Sequence, residues 1–414
     1  MNALLGKCNI DTVRIKAGTC FVIKQNLLFI HLDIYKMALK GVKVIEMMGL
    51  APGPLCGTIL ADFGASVTVV QRMDPDPFDV MSNGKRMISV NLKTEEGVNV
   101  IKKLCADSDI LLDIFRPGVM EKLGLGPEHL MTANPRLIYA RLSGYGQNGF
   151  YKNKAGHDIN YVAMSGILSL LSKNNQPPTP PLNLLSDFAG GGVLCTLGIL
   201  LALFERTKSG KGQIIDTSMT EGAAYVGKWL FKSRELPIWS GEPGTNALDG
   251  GFACYQTYKT KDGKFMAVGA LEPKFYSKFL EGLQLSEDEY PQIGNNEHCK
   301  KIFQEVFLKK TQEEWCQIFD KLDACVTPVL NIDEVDKHEF RVSDSAFHRD
   351  ANNMVVPEPA PKMSRTPGIS SSHKHLPMPG QHTIEVLREL RYSKVDIEKL
   401  IKNGHVYAVT KSNI

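Results

Sequence analysis

From Met37 onward the chain alternates short apolar runs with amphipathic stretches. Val42–Glu46, Val67–Val70, Ile88–Leu92, Ile110–Ile114 and Leu137–Leu142 have the composition of buried strands. Between them, a helix entered near Pro54 and running to Asp62, one over Glu95–Cys105 and a short one at Glu121–Leu123 are expected. Pro54 suits a first helical turn, where its missing N–H has no partner to lose. Strands alternating with helices predict a parallel α/β sheet, whose ligands sit beyond the carboxyl ends of the strands.

After about residue 250 the pattern changes. Tyr255–Thr260 and Phe265–Ala270 flank Lys261-Asp-Gly-Lys264, a hairpin signal, and Thr311-Gln-Glu-Glu314 has the form of a capping box. A smaller α+β domain is expected there. Six prolines between Pro357 and Pro379 mark a linker, and Thr383–Leu390 and Val395–Ile401 read as two terminal helices. The uncharged stretch Phe188–Phe204, interrupted by Gly190, Gly191, Gly192 and Gly198, reads as a buried core helix, with no run of 18 strongly apolar residues to span a bilayer.

Composition narrows the class. A length of 414 residues implies two or more domains, and 43% hydrophobic with 22% charged residues excludes general disorder. With 48 basic against 45 acidic residues, the chain lacks the basic excess of a nucleic-acid binder, so an anionic ligand must be met by local Arg or Lys. Nine cysteines without a C-x-x-C pair point to reduced thiols inside a cell rather than a disulfide scaffold or zinc site. Residues 1–36 hold five Lys/Arg and two Asp but one Arg and no Ser, a loose match to a mitochondrial presequence. They read as an extension upstream of a start at Met37, or as a targeting segment. The ending Ser412-Asn413-Ile414 is not a Ser-Lys-Leu address.

Several motifs bear on chemistry. Gly144-Tyr-Gly146-Gln-Asn-Gly149 fits G-x-G-x-x-G, but no immediate helix or correctly spaced acid follows, so it reads as a Gly-rich turn near a ligand rather than a dinucleotide site. His373-x-His375 lies among Ser and Pro with no third ligand in register, and reads as a solvated loop. Ala155-Gly-His-Asp-Ile-Asn-Tyr161 precedes an apolar helical pattern, placing His157 and Asp158 at a helix N-terminus. There the dipole lowers an imidazole pKa and suits a general base, although a capping pair has the same signature. Asp187 is the only charge between Lys173 and Glu205 and opens the most apolar helix. It is either an N-cap or a shielded carboxyl with a raised pKa, and the three Gly after it allow close approach of a ligand. Glu272 leaves a strand ahead of Pro273, where it is a surface cap or reaches a site between domains. Arg72, Arg86 and Arg116 fall where strands should end and suit phosphate recognition.

Together these stretches, with Gly49–Pro54, Leu60–Ala65, Arg116–Val119, Asn134–Gly144, Asn183–Gly192, Gly210–Gln213, Asp249–Gly251, Leu271–Pro273 and Pro379–Thr383, resemble the alpha-methylacyl-CoA racemases of the family III CoA-transferase superfamily, over roughly residues 38–400. The resemblance implies an interlocked homodimer. Each chain would have a large Rossmann-like domain from 37–225 and 360–414, and a small domain with linkers over 226–359. It implies epimerisation of 2-methylacyl-CoA thioesters without metal or redox cofactor, with no nucleic-acid partner and no membrane span. His157 and Asp187 would be the acid/base pair, with Glu272 paired to His157. CoA contacts would come from Arg72, the strand Ser89, Val90, Asn91 and Leu92, Arg116, and Ala155, Gly156, Asp158, Ile159, Asn160 and Tyr161, with Arg86 as a further cation. Branched-chain fatty acyl and bile-acid-type substrates are suggested, in peroxisome, mitochondrion or both. Gln71 and Gln381 depart from the usual acids of the pattern. Two rivals remain. One is a family III CoA-transferase using Asp187 as acyl-carrying nucleophile, which needs no His at 157. The other is a non-catalytic acyl-CoA-binding protein.

Overall fold

The five apolar runs become strands β1 Lys43–Met47, β2 Ser66–Gln71, β3 Arg86–Val90, β4 Ile110–Asp113 and β5 Ile138–Ser143, joined by β6 Ile214–Ser218. In this computed structural model, which describes residues 37–73, 78–173, 176–338 and 346–409, they form a parallel sheet in the order β3-β2-β1-β4-β5-β6. Strand order runs outward in opposite directions from β1 and β4, so a crevice opens at their carboxyl ends. The segment 1–36 and the ending 410–414, with the targeting readings made on them, lie outside the described residues.

Helices cover both faces: α1 Pro52–Asp62, α2 Glu95–Ala106, α3 Val119–Lys122, α4 Pro127–Ala133, α5 Asp158–Met164, α6 Leu194–Ser209 and α7 Met219–Val226. Pro52 and Pro54 open α1, and Thr94 caps α2 by accepting the Gly97 N–H at 3.2 Å. A wide π-helical segment, Leu184–Val193, runs directly into α6.

The chain then leaves the sheet through α8 Lys228–Ser233. It builds β7 Tyr255–Lys259 and β8 Phe265–Gly269, the expected hairpin, then α9 Pro273–Leu283, α10 Asn296–Phe307, α11 Gln312–Phe319 and β9 Val326–Pro328. This unit has its own aromatic core, in which Phe279, Phe303, Phe307, Trp315 and Tyr258 pack ring on ring. The Thr311–Glu314 capping box forms as expected, with Glu314 Oε2 accepting the Thr311 N–H at 2.7 Å. A short hairpin, β10 Phe347–Arg349 with β11 Val355–Pro357, belongs to the proline-rich return. Helices α12 Thr383–Glu389 and α13 Lys394–Lys402 then pack on the first core, and β12 Val406–Tyr407 adds antiparallel to β3.

Two expectations need correction. β3 begins at Arg86, not Ile88, so Arg86 stands at the amino edge of the sheet, away from the crevice. The ladder to β2 causes this: Arg86 pairs with Thr68, ahead of the apolar run, while the Met87 and Ser89 N–H groups donate to His382 Nδ1 and Thr383 Oγ1. The Arg86 guanidinium is held by Glu389 at 2.7 Å and by Thr68 at 3.1 Å.

The apolar helix is also only half a core helix. Cys195, Ile199 and Ala202 are buried, but Val193, Leu197, Leu200, Leu201 and Phe204 form an exposed stripe, Phe204 at 63%. Together the π-helical segment and α6 span Leu184–Ser209 with a mean hydropathy of 1.9 in the most apolar window, long enough by length and composition to cross a bilayer. Its inner side is nevertheless packed on the sheet.

Asp113, 4% exposed, ends β4 and accepts the Phe115 N–H at 2.9 Å, shaping the turn that presents Arg116. Burial pushes its carboxyl up to about 6, against the opposing pull of that N–H and of Arg141, with Glu121 adding to the rise. The protonated form therefore favours the fold below about pH 4, and that contribution is lost as pH rises through 6. In Asp113→Asn this dependence should vanish. Urea unfolding at pH 7.5 is expected to show the variant more stable by up to roughly 3 kcal/mol, with the gap closing towards pH 4.

Candidate active site

At the carboxyl edge of the sheet lies a cavity of about 570 Å³. The loops after four strands build it: Met48 and Gly49 after β1, Arg72 after β2, Ile114–Arg116 after β4, and Gly144 and Tyr145 after β5. The segment 152–161 closes one side, and Asp187 and Met219 complete the wall. Arg72, Arg116, Lys152 and Lys154 line it, and Asp187 is the sole acid among its described lining residues. An excess of fixed cations in one cleft draws an anionic ligand.

His157 is the N-cap of α5, in extended conformation, and its N–H donates to Asn160 Oδ1 at 3.0 Å. This holds the backbone while the imidazole remains exposed to the cavity. Tyr161 packs edge-on to Tyr145 at 5.0 Å, and its hydroxyl donates to the Gly156 carbonyl at 2.5 Å, fixing the turn that leads into α5.

Asp187 sits half-buried in the first turn of the π-helical segment. Its carboxyl is raised above the usual aspartate value, first by desolvation and then by the charge of Asp158, with the Asn183 amide and His157 pulling the other way. Asn183 Nδ2 stands 3.4 Å from Asp187 Oδ2. The cavity thus presents together an imidazole and a carboxyl whose pKa is raised, the two kinds of group that proton transfer on both sides of a carbon requires.

The candidate residues divide. Arg72, Arg116, Ala155, Gly156, His157, Asn160, Tyr161 and Asp187 all line the cavity. Asp158 does not: it is 5% exposed, and its Oδ1 accepts the N–H groups of Ser186 and Asp187, both at 2.8 Å. Its side chain anchors the π-helical segment instead of facing a ligand. Ile159 projects outward, 44% exposed. Ser89 and Val90 are buried beneath the C-terminal segment, while Asn91 Nδ2 donates to the Gly404 carbonyl at 3.1 Å, and none of the Ser89–Leu92 run lines the cavity. Arg86 lies at the opposite edge. Glu272 is the exposed N-cap of α9 in the smaller unit and is not part of the wall.

The three glycines after Asp187 admit protein rather than ligand. A Cβ on Gly190 would lie 2.5 Å from the Ala223 nitrogen, and one on Gly192 would lie 2.8 Å from the Pro52 carbonyl oxygen. The cavity cations not foreseen are Lys152 and Lys154. Their only signal was two Lys in the loop that continues after the G-x-G-x-x-G turn.

A parallel sheet with a crevice at its switch point and a cation-rich cavity defines a site for an anionic ligand. The chain belongs to CoA-transferase family III, whose match extends over residues 39–383. It is 52% identical over 367 residues to alpha-methylacyl-CoA racemase of Mus musculus, covering 88% of this chain and 96% of that one. To the Homo sapiens protein of the same name it is 50% identical over 382 residues, covering 90% and 100%. A crystal structure of a CAIB/BAIF family protein from Brucella suis shares the fold, with a TM-score of 0.73 at 22% identity, covering 86% of this chain and 99% of that one.

The separation of the two sheet edges gives a direct test. Arg116→Ala is expected to weaken binding of free coenzyme A by about tenfold or more, the effect of removing a charge-assisted phosphate contact. Arg86→Ala should leave the dissociation constant unchanged and act on stability alone. Isothermal titration of both variants reads the difference.

Proposed function

We infer that this protein is an isomerase that interconverts the (R) and (S) forms of 2-methylacyl-CoA thioesters. The observation that carries the reading is the placement of His157 and Asp187 on the wall of one cavity with four cations around them. The proton beside a thioester carbonyl is weakly acidic, and inverting that carbon needs a base on one face and an acid on the other. His157 takes the α-proton from one enantiomer. The electron pair moves into the carbonyl, giving an enolate-like intermediate whose oxygen is stabilised by backbone N–H groups near the start of α5. Asp187, whose hold on a proton is strengthened by burial and by the charge of Asp158, delivers a proton to the opposite face. For the other enantiomer the roles exchange. Arg72, Arg116 and the two lysines hold the phosphates of CoA. The reaction draws on no electron or metal chemistry.

Incubating either enantiomer of a 2-methylacyl-CoA in deuterated water should give both epimerisation and deuterium at the α-carbon. His157→Ala and Asp187→Asn should each lose on the order of 10²-fold or more in kcat. Absence of both signals overturns the reading. A hydroxylamine-trapped acyl adduct on Asp187, formed with a second acid as acceptor, would assign the protein to the transferases instead.

The exposed stripe of α6, with Tyr225, Val226 and Trp229 close by in sequence order on α7 and α8, is apolar enough to need a cover. We propose that a second copy of the chain supplies it and brings its Glu272 to His157, which a single chain leaves exposed. Co-expressed His157→Ala and Glu272→Ala chains should then regain activity that neither variant has alone, because one site of the mixed pair is intact. No recovery would place Glu272 outside the site.

A further inference from the structure

The histidine of the Ser/Pro-rich return that had no third ligand in sequence finds two in space. His348 lies on β10, where it faces Val356 of β11 across the hairpin. Glu358 follows β11, with its N–H bonded to the Ala346 carbonyl at 2.9 Å. His373 closes a 3₁₀ turn, Ser371–His373. One ligand atom from each of His348, Glu358 and His373 lies within 4.8 Å of the others. The two imidazole rings are 4.2 Å apart at 38°.

The details around His348 are those of a metal ligand. Its side chain is 11% exposed. Nε2 is 2.6 Å from Ser372 Oγ, which Ser370 Oγ backs at 2.7 Å, so that edge of the ring is held by hydroxyls. Nδ1 is buried and stands 3.0 Å from Glu358 Oε1, yet it makes no aligned hydrogen bond. A ligating histidine has this arrangement: one ring nitrogen oriented by an outer hydrogen-bond partner, the other left for the cation. Two imidazoles and a carboxylate form a donor set of borderline hardness that suits Zn²⁺, with a fourth tetrahedral position for water. His373 is exposed, so the small closure needed to reach bond lengths near 2 Å falls on its side chain.

We propose that His348, Glu358 and His373 form a zinc-binding site that fastens the proline-rich return to the large domain. The fastening follows from the surroundings. The 3₁₀ turn is already docked on the end of α1, because Asp62 Oδ1 accepts the Ser371 N–H at 2.9 Å and its hydroxyl at 2.8 Å. A cation bridging His373 to β10–β11 ties the hairpin to that anchor. The group shares no residue with the cavity of His157 and Asp187. The site is therefore structural, and it stands apart from the reading of function above.

The test uses the full chain, stripped with a chelator and titrated with zinc chloride by calorimetry. It carries Cys325→Ser, the one exposed thiol among the described residues, and Cys8→Ser and Cys20→Ser, which lie outside them. One equivalent is expected to bind and to raise the thermal midpoint. Glu358→Gln and His373→Ala should loosen binding by more than the roughly 10- to 100-fold that outer-partner changes cost, and abolish the zinc-dependent rise. His375→Ala, the neighbouring exposed histidine outside the group, should change neither. Activity on CoA thioesters should be the same in all of these proteins at saturating zinc. Equal affinity in the parent and in His373→Ala, or loss of binding in His375→Ala, overturns the proposal. His373 is exposed, so its variant keeps the test valid even if a change at His348 prevents folding.

Discussion

The site hangs on the carboxylate of Asp158. That side chain is the first helical residue after His157, and it is turned inward to accept the N–H groups of Ser186 and Asp187. The first N–H groups of a helix have no acceptor within it, and a carboxylate placed there satisfies them with charge-assisted hydrogen bonds. One group thereby joins the start of the helix that carries His157 to the start of the one that carries Asp187. Its second oxygen is buried without a partner, so the arrangement is held at some expense of stability. The same charge raises the pKa of Asp187. The placement of Asp187 relative to His157 and the rise in the pKa of Asp187 are therefore set together.

Close packing is what lets those two helix starts meet at the crevice. The backbone of Gly190 lies so near α7 that a Cβ on Gly222 would fall 2.0 Å from the Gly190 oxygen. No residue larger than glycine fits either position without moving a helix. On the other side of the cavity, Lys85 and Glu46 form a wholly buried ion pair at 2.8 Å, and Lys85 also donates to the Pro54 carbonyl at 2.9 Å. Burial of this kind gives little net stability, and removing one partner is costly. Its geometric effect is to pin the first turn of α1 to the end of β1, the strand whose loop lines the cavity. The parallel sheet supplies the rest, since every strand from β1 to β5 except β3 contributes its carboxyl-terminal loop to the wall.

What could be read from the sequence is what depends on local pattern. The strands, the crevice and the shielded character of Asp187 all follow from short apolar runs and an isolated charge. What could not be read depends on segments distant in the chain. Arg86 reads with the cations at strand ends, although the apolar run Ile88–Leu92 begins after it. The ladder starts earlier because Arg86 pairs with Thr68 of β2, and the N–H groups that follow it are taken up by His382 and Thr383, nearly three hundred residues on. Asp158 looked like a ligand contact beside His157, and its burial is decided by Ser186 and Asp187. Lys152 and Lys154 carried no signal beyond charge in a loop. The glycines after Asp187 announced a close approach without saying to what. The Phe188–Phe204 stretch is apolar on both faces, so composition could not say which face the sheet would cover.

That last ambiguity has a physical consequence. The π-helical segment and α6 are one continuous helix, and Asp187 lies in its first turns. The inward face is small, with Gly190 against α7 and Gly191, Cys195, Ile199 and Ala202 toward the sheet, so it allows a close fit but buries little apolar area. Most of the helix's large apolar side chains point the other way, in the stripe from Val193 to Phe204. A helix whose larger hydrophobic face is uncovered draws only part of its stability from its own chain, because tertiary burial, not propensity, supplies most of a helix's stability. Whatever covers the stripe therefore also stiffens the rod that carries Asp187. If a second copy of the chain is that cover, as proposed, association and the position of Asp187 are coupled through a single helix, with no need for a contact between the covering surface and the cavity.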